Sequence, residues 1–366
     1  MATEAPRIDE VPAAFLSGRV LDGGWTVGEL AAKSSTGTGG HFSVCYTAEN
    51  VDGRVAFMKA LNFNASADPS RPLVDQLSEF TSAYVFERDL LSDCSDRRMS
   101  HVVRLLGYGE IEVEEAPAIL RQVPYLLLEM ADGDVYAFQE RSENLDASWF
   151  FQVLKHALEG IAQLHASRVA HQDLKPSNVL THESGLLMKI GDLGRADRQG
   201  AETWWTNFAV PGAVTYAPPE QQYGYCTATW EERRAADLYL AGSLGAQLFL
   251  GSCMSTLICD RLPEPCRPAH WRGGQVDLMP HLQAAHAEVL ELLEHQVRFR
   301  LGDVETATLF TVAVGHMTNP DPVLRGHPKD RSAATSSFSV RRFVSLMDRL
   351  SRRARVNALA SGGSNA

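Results

Sequence analysis

The chain has 366 residues, 45% of them hydrophobic and 22% charged, proportions that suit a globular protein with a large core and exclude a disordered or collagen-like chain. A formal net charge of −11 argues against a surface built to grip nucleic acid or an anionic membrane, so neither is expected as a direct partner. Six scattered cysteines without a CxxC pair fit a reducing compartment, and no stretch reads as a signal peptide or a membrane span, so a cytoplasmic location is expected.

Residues 1–20 carry Pro6, Pro12 and charges without a sustained period and read as a lead-in. From 25 to 61 the text alternates and is rich in turn residues, with a VDG turn at 51–53, which predicts antiparallel strands joined by hairpins. A polar, proline-bearing loop (62–75) precedes a helix over 76–92, marked by Leu77, Phe80, Tyr84 and Leu91. HVVRLLGYGEI and QVPYLLLEM supply two more strands. Phe150, Phe151, Leu154, Leu158, Ile161 and Leu164 then mark one long amphipathic helix ending near His165. Helical patterns return at 231–250, 281–299, 304–318 and 338–355, and the small polar residues 356–366 predict a disordered tail. The order is that of an α+β protein with a small antiparallel-sheet lobe carrying one main helix (21–131), a larger, mostly helical lobe (132–355), and a cleft between them.

The string HQDLKPSNVL (171–180) follows the long helix, and IGDLG (190–194) follows it in turn. Phosphoryl transfer needs a carboxylate to orient or deprotonate the acceptor hydroxyl, a cation to offset the moving charge, and hard oxygen ligands for Mg²⁺. Asp173, Lys175, Asn178 and Asp192 are residues of these types. The two strings resemble the catalytic loop and the DFG motif of eukaryotic-like protein kinases, and the LKPxN form resembles the Ser/Thr branch. The resemblance spans about 37–325. It implies ATP with Mg²⁺, or alternatively Mn²⁺, a two-lobed kinase fold, Asp173 and Lys175 as catalytic residues, and Asn178 and Asp192 as metal ligands.

Further landmarks fall in the family's order. Lys59 closes VAFMK on a predicted strand and Glu87 lies on the predicted helix; in the family that lysine contacts the α and β phosphates and the glutamate holds the lysine. TGTGGHFSV sets Gly37, Gly39 and Val44 against a GxGxxGxV loop, with Phe42 in the third glycine position; a plain hairpin turn is the other reading. YLLLEMADGD resembles the hinge, with Leu128 as gatekeeper, Glu129 to Ala131 facing adenine, and Asp134 either on the ribose or an ordinary turn residue. Pro218, Pro219 and Glu220 stand in the place of APE, and Arg325 in DPVLR is the implied structural partner of Glu220.

Four further positions depart from the family. Gln172 replaces the arginine of HRD, which makes activation by loop phosphorylation at Thr203 or Thr206 a weaker expectation. Phe57 stands where a small residue packs on adenine, Ala213 where a threonine contacts the catalytic aspartate and lysine, and Leu193 for the phenylalanine of DFG. These departures keep two alternatives open beside a protein kinase: a pseudokinase or scaffold, and a kinase-fold enzyme acting on a small molecule. The protein substrate is not legible. The last helix carries Arg341, Arg342, Arg349, Arg352, Arg353 and Arg355, which pair with the acidic body or dock an acidic partner.

Overall fold

The computed structural model describes residues 11–31, 43–62, 70–114, 121–142, 145–225, 228–332 and 337–362. It divides into two compact units, Met1–Gly133 and Asp134–Ala366.

The first unit is a six-stranded antiparallel sheet in the order β1-β2-β3-β4-β6-β5, formed by β1 (Val20–Leu21), β2 (Trp25–Leu30), β3 (Ser43–Asn50), β4 (Val55–Leu61), β5 (Leu105–Glu112) and β6 (Gln122–Glu129). The VDG turn closes β3 on β4: Gly53 takes φ +76°, and the Asn50 side-chain oxygen accepts the amides of Asp52 and Arg54 at 3.1 and 2.8 Å. Strand alternation buries Tyr46, Ala48, Ala56, Met58 and Ala60 in one core with Trp25, Tyr125 and Leu127. The part of the lead-in within the described residues docks on this core through Ala13 and Leu16, and Tyr46 Oη donates to the Ala13 carbonyl at 2.6 Å. Helix α1 (Leu73–Asp96) extends past both ends of its predicted span.

The second unit opens at the end of the two-residue strand β7 (Gly133–Asp134) with α2 (Val135–Arg141) and α3 (Ala147–Ala166), whose apolar stripe is buried from Phe150 to Leu164. After β8 (Val169–Ala170) a tight hairpin, β9 (Val179–His182) with β10 (Leu187–Ile190), carries the catalytic-loop and DLG strings at its open end. Beyond β11 (Asp197–Arg198) and the short α4 (Pro219–Gln222), helix α5 (Trp230–Leu250) is buried along most of its length. Sequence sets its ends: Thr229 and Glu232 form a reciprocal capping box, and Gly251 closes the helix at φ +74°. Then follow α6 (Met254–Arg261), α7 (Gln275–Leu301), α8 (Val304–Met317), α9 (Pro328–Arg331) and α10 (Arg341–Gly362), which packs along α3. Helix α10 passes Arg355 and runs to Gly362, so 356–362, expected as a disordered tail, are helical; 363–366 lie outside the described residues. Among the described residues no single helix is long and apolar enough to cross a membrane.

Two buried polar groups make this core sensitive to substitution and to pH. Arg325, fully buried, forks onto Glu220 at 2.7 and 2.8 Å, donates to the carbonyls of Asn319 and Ala235, and lies over the Tyr239 ring. Removing one side of such a pair strands a buried charge, so Arg325→Ala costs about 3–5 kcal/mol, read as a large fall in melting temperature. His286 on α7 bonds Thr318 Oγ at 2.8 Å, and that hydroxyl spends its own proton on the Val314 carbonyl, so His286 is the donor. Burial, then the Arg325 charge, push its pKa down to about 4. The unfolded chain therefore holds this proton more tightly, and the stabilising effect is complete above the ordinary histidine value and shrinks as pH falls toward 4. The loss reaches about 3 kcal/mol; His286→Gln, which keeps a donor, flattens that part of the pH–stability profile.

Candidate active site

In the first unit, Glu87 lies on the face of α1 that also carries Tyr84, Leu91 and Cys94, all buried. A carboxylate there needs a partner. Lys59 reaches both its oxygens, at 2.9 and 3.0 Å, from the middle of the sheet. Phe57 shares the Lys59 face of β4, two residues earlier, opposite the core face of Ala56, Met58 and Ala60.

The register corrects one sequence expectation. Val44 pairs with Ala60 and packs against the core, so it stands on the face opposite Lys59; Cys45, paired with Lys59, shares the lysine's face. The GxGxxGxV alignment is thus displaced by one residue, and Cys45 takes the valine's place with Ser43 in that of the third glycine. Gly37, Gly39 and Phe42 lie outside the described residues. At the end of β6 the Glu129 amide donates to the Arg104 carbonyl at 3.0 Å and its carboxylate accepts the Arg104 amide at 2.9 Å, fixing the strand end; Ala131 follows, half-buried.

In the second unit, Asp134 caps α2 by accepting the Ala137 amide at 2.7 Å. Asp173 is buried and its two oxygens are separately held. Oδ2 accepts Lys175 Nζ at 2.8 Å and the Asn178 side-chain amide at 3.1 Å; Oδ1 accepts the backbone amide of Ala213 at 2.8 Å. That amide answers the missing threonine: a backbone donor ties the segment to Asp173 where the family uses a hydroxyl. Gly212 makes the approach possible, since a Cβ there would lie 2.4 Å from the Gln172 carbonyl and 2.8 Å from Asp173 Oδ1.

Asn178 spends its side-chain nitrogen on the carbonyl and carboxylate of Asp173, which leaves its amide oxygen as the group to offer a cation. The pairing of Val179 with Ile190 sets Asn178 beside Gly191 and Asp192, and Asp192 is held in the left-handed region at φ +57°. A neutral and an anionic oxygen at one hairpin end are the hard donors that Mg²⁺ takes. His171, fully buried, donates from Nε2 to the Gly191 carbonyl at 3.1 Å and accepts the Asp173 amide on Nδ1 at 3.2 Å, so one ring ties the two strings together.

Beneath this loop sits Asp237 of α5, wholly buried. It accepts His165 Nε2, the amides of His171 and Gln172, and the Gln172 side chain, all at 2.8–2.9 Å. Burial alone would raise its pKa, but the His165 ring and the loop amides outweigh it and hold the carboxyl below its ordinary value. These bonds over-determine Gln172, a non-glycine residue at φ +64°.

Arg233, one turn before Asp237, was not legible as a site residue. It is buried, donates from Nε to Asp197 at 3.0 Å and from one terminal nitrogen to Gln172 Oε1 at 3.3 Å, and reaches the Thr206 carbonyl with the other. A cation missing from the loop at position 172 is thus supplied from α5, and it grips the segment that follows DLG. The same segment is anchored by Trp205, fully buried with its indole donating to the Ala196 carbonyl at 3.1 Å, while Arg195 lies over the rings of Trp204 and Trp205. Thr203 and Thr206 hydrogen-bond each other at 2.8 Å.

Two motif strings are thus joined around Asp173, with the segment that follows DLG held against them. The protein kinase domain family model matches residues 31–256, more than half of the chain, and the chain belongs to that family. It is similar to the Corynebacterium efficiens protein named serine/threonine-protein kinases drp72, with 27% identity over 216 residues covering 59% of this chain and 37% of the relative. It is also similar to serine/threonine-protein kinase PknA of Mycobacterium tuberculosis, with 24% identity over 274 residues covering 72% and 57%. The chain therefore spans well under two thirds of the length of either relative.

Proposed function

We propose that the chain is an ATP-dependent protein kinase that transfers the γ-phosphate to serine or threonine hydroxyls of a protein. The observation that carries this reading is Asp173, with Lys175 and Asn178 on one oxygen and the Ala213 amide on the other. The carboxylate orients the acceptor hydroxyl and takes its proton as the new O–P bond forms and the bond to the departing ADP breaks. Lys175 offsets charge on the moving phosphoryl group, and Lys59, held by Glu87, anchors the remaining phosphates. Asn178 and Asp192 would hold Mg²⁺, which would supply charge neutralisation on the phosphates. The names of the relatives support the serine/threonine class.

A second reading, nucleotide binding without transfer, is favoured by one observation: Phe57 adds an aromatic ring to the Lys59 face of β4. Mass spectrometry after incubation with ATP and a cell lysate separates the readings. Phosphopeptides support the kinase, a phosphorylated metabolite indicates a small-molecule enzyme, and neither indicates a binding protein.

The same proposal covers activation. With Arg233 already bonded to Asp197 and the Thr206 carbonyl, the segment is ordered without a phosphate. Thr203→Ala with Thr206→Ala keeps the transfer rate within about tenfold of wild type, against the roughly 10³- to 10⁵-fold that a single arginine on the transition-state charge contributes in this chemistry. A loss of that larger size would show that these hydroxyls must be modified.

A further inference from the structure

The arginines of α10 fall into two sets. Arg342 pairs with Asp330 at 2.7 Å, Arg352 with Asp348 at 2.9 Å, and Arg353 with both Asp303 and Glu305. Arg341, Arg349 and Arg355 are exposed and form no ion pair among the described residues. Arg341 and Arg349 line a groove of about 460 Å³ formed by α8, α9 and α10, whose lining adds Lys329 and Arg342 and contains no acidic side chain. Leu309, Leu346 and the half-exposed Val312 add apolar surface to the lining. Three cations without an ion-pair partner among the described residues, Arg341, Arg349 and Lys329, gathered with apolar side chains in one groove are unusual on a chain of net charge −11.

We infer that this groove docks an acidic peptide segment of a partner protein, one that carries an apolar side chain between its carboxylates. The cations fit the carboxylates, and the apolar part of the lining buries the apolar group that makes the contact more than a diffuse attraction. Nucleic acid and polyphosphate share the charge but bring no aliphatic side chain for Val312 and Leu346, and an extended polyanion would meet the acidic remainder of the chain. The inference does not depend on phosphotransfer, because the groove contains none of the residues assigned to it.

The test is fluorescence anisotropy of a labelled peptide of glutamate and leucine titrated with the full chain. Binding is expected to saturate, to weaken with added salt, and to fall at least about tenfold in the double variant Arg341→Glu with Arg349→Glu. Val312→Asp should weaken it several-fold, while Arg352→Glu, on a residue that does not line the groove, leaves it unchanged. Unaltered melting temperatures show that each variant is folded. Absence of saturable binding by wild type, an affinity untouched by the double reversal, an equal loss from Arg352→Glu, or equal binding of labelled oligouridylate or polyphosphate would each overturn the inference.

Discussion

Replacing Asp173 with asparagine lowers the rate of phosphotransfer by about 10²- to 10⁴-fold, the contribution of a positioned general base, while nucleotide affinity stays close to wild type. Asparagine is nearly isosteric and keeps an oxygen for one of the two donor sets while its nitrogen faces the other, so an unchanged melting temperature is the control that the loop is kept. It lacks the negative charge and the basicity to take the hydroxyl proton. Steady-state ADP release at saturating ATP, with binding followed separately by a fluorescent nucleotide, measures both quantities. A rate within tenfold of wild type would mean that Asp173 is a structural acceptor only.

Asp237→Ala removes the acceptor for four buried donors, two of them amides of the catalytic loop. The amides of His171 and Gln172 are left buried without their acceptor, and the left-handed Gln172 keeps only its side-chain contacts to Arg233. The expected cost is about 3–5 kcal/mol, seen in denaturant unfolding, with transfer lost as well because the backbone around Asp173 is released. The sign of the pH dependence follows from the depressed pKa. The stabilisation by ionised Asp237 is present above the ordinary carboxylate value and is lost as pH falls through the lower, folded one. Wild type and variant should therefore converge in stability on acidification; a constant difference across that range would contradict the assignment.

The site was legible where its chemistry is local. HQDLKPSN and GDLG are short strings flanking one hairpin, and the pairing of β9 with β10 brings their ends together, so their resemblance to the family's two motifs could be read from contiguous residues. Lys59 and Glu87 were legible only through their order, because nothing local distinguishes a strand lysine or a helix glutamate from a surface charge; their partnership is set by the buried face of α1. The displacement from Val44 to Cys45 has a different origin. By residue identity the motif favours the register with Gly37, Gly39 and Val44, since the displaced one keeps only Gly40, and it is the pairing with β4 that decides which side chain shares the lysine's face.

Arg233 was hidden because it lies far along the chain from Gln172 and reads as an ordinary charge in the first turn of a helix. The departure at Gln172 was itself the signal: a buried loop that loses its own cation requires another, and an arginine one turn before the conspicuous Asp237 was the nearest source. The C-terminal end of α10 was missed for the opposite reason. Residues 356–362 carry no apolar stripe for periodicity to detect, and the helix continues on small residues of good propensity.

The central claim, that this divergent loop is catalytic, is tested most directly by incubating the chain with γ-labelled ATP, Mg²⁺ and a generic protein substrate, beside the Asp173→Asn variant. The proposed function predicts label on serine or threonine of protein for wild type and its near-complete loss in the variant. No transfer by wild type, with nucleotide binding intact, would contradict it.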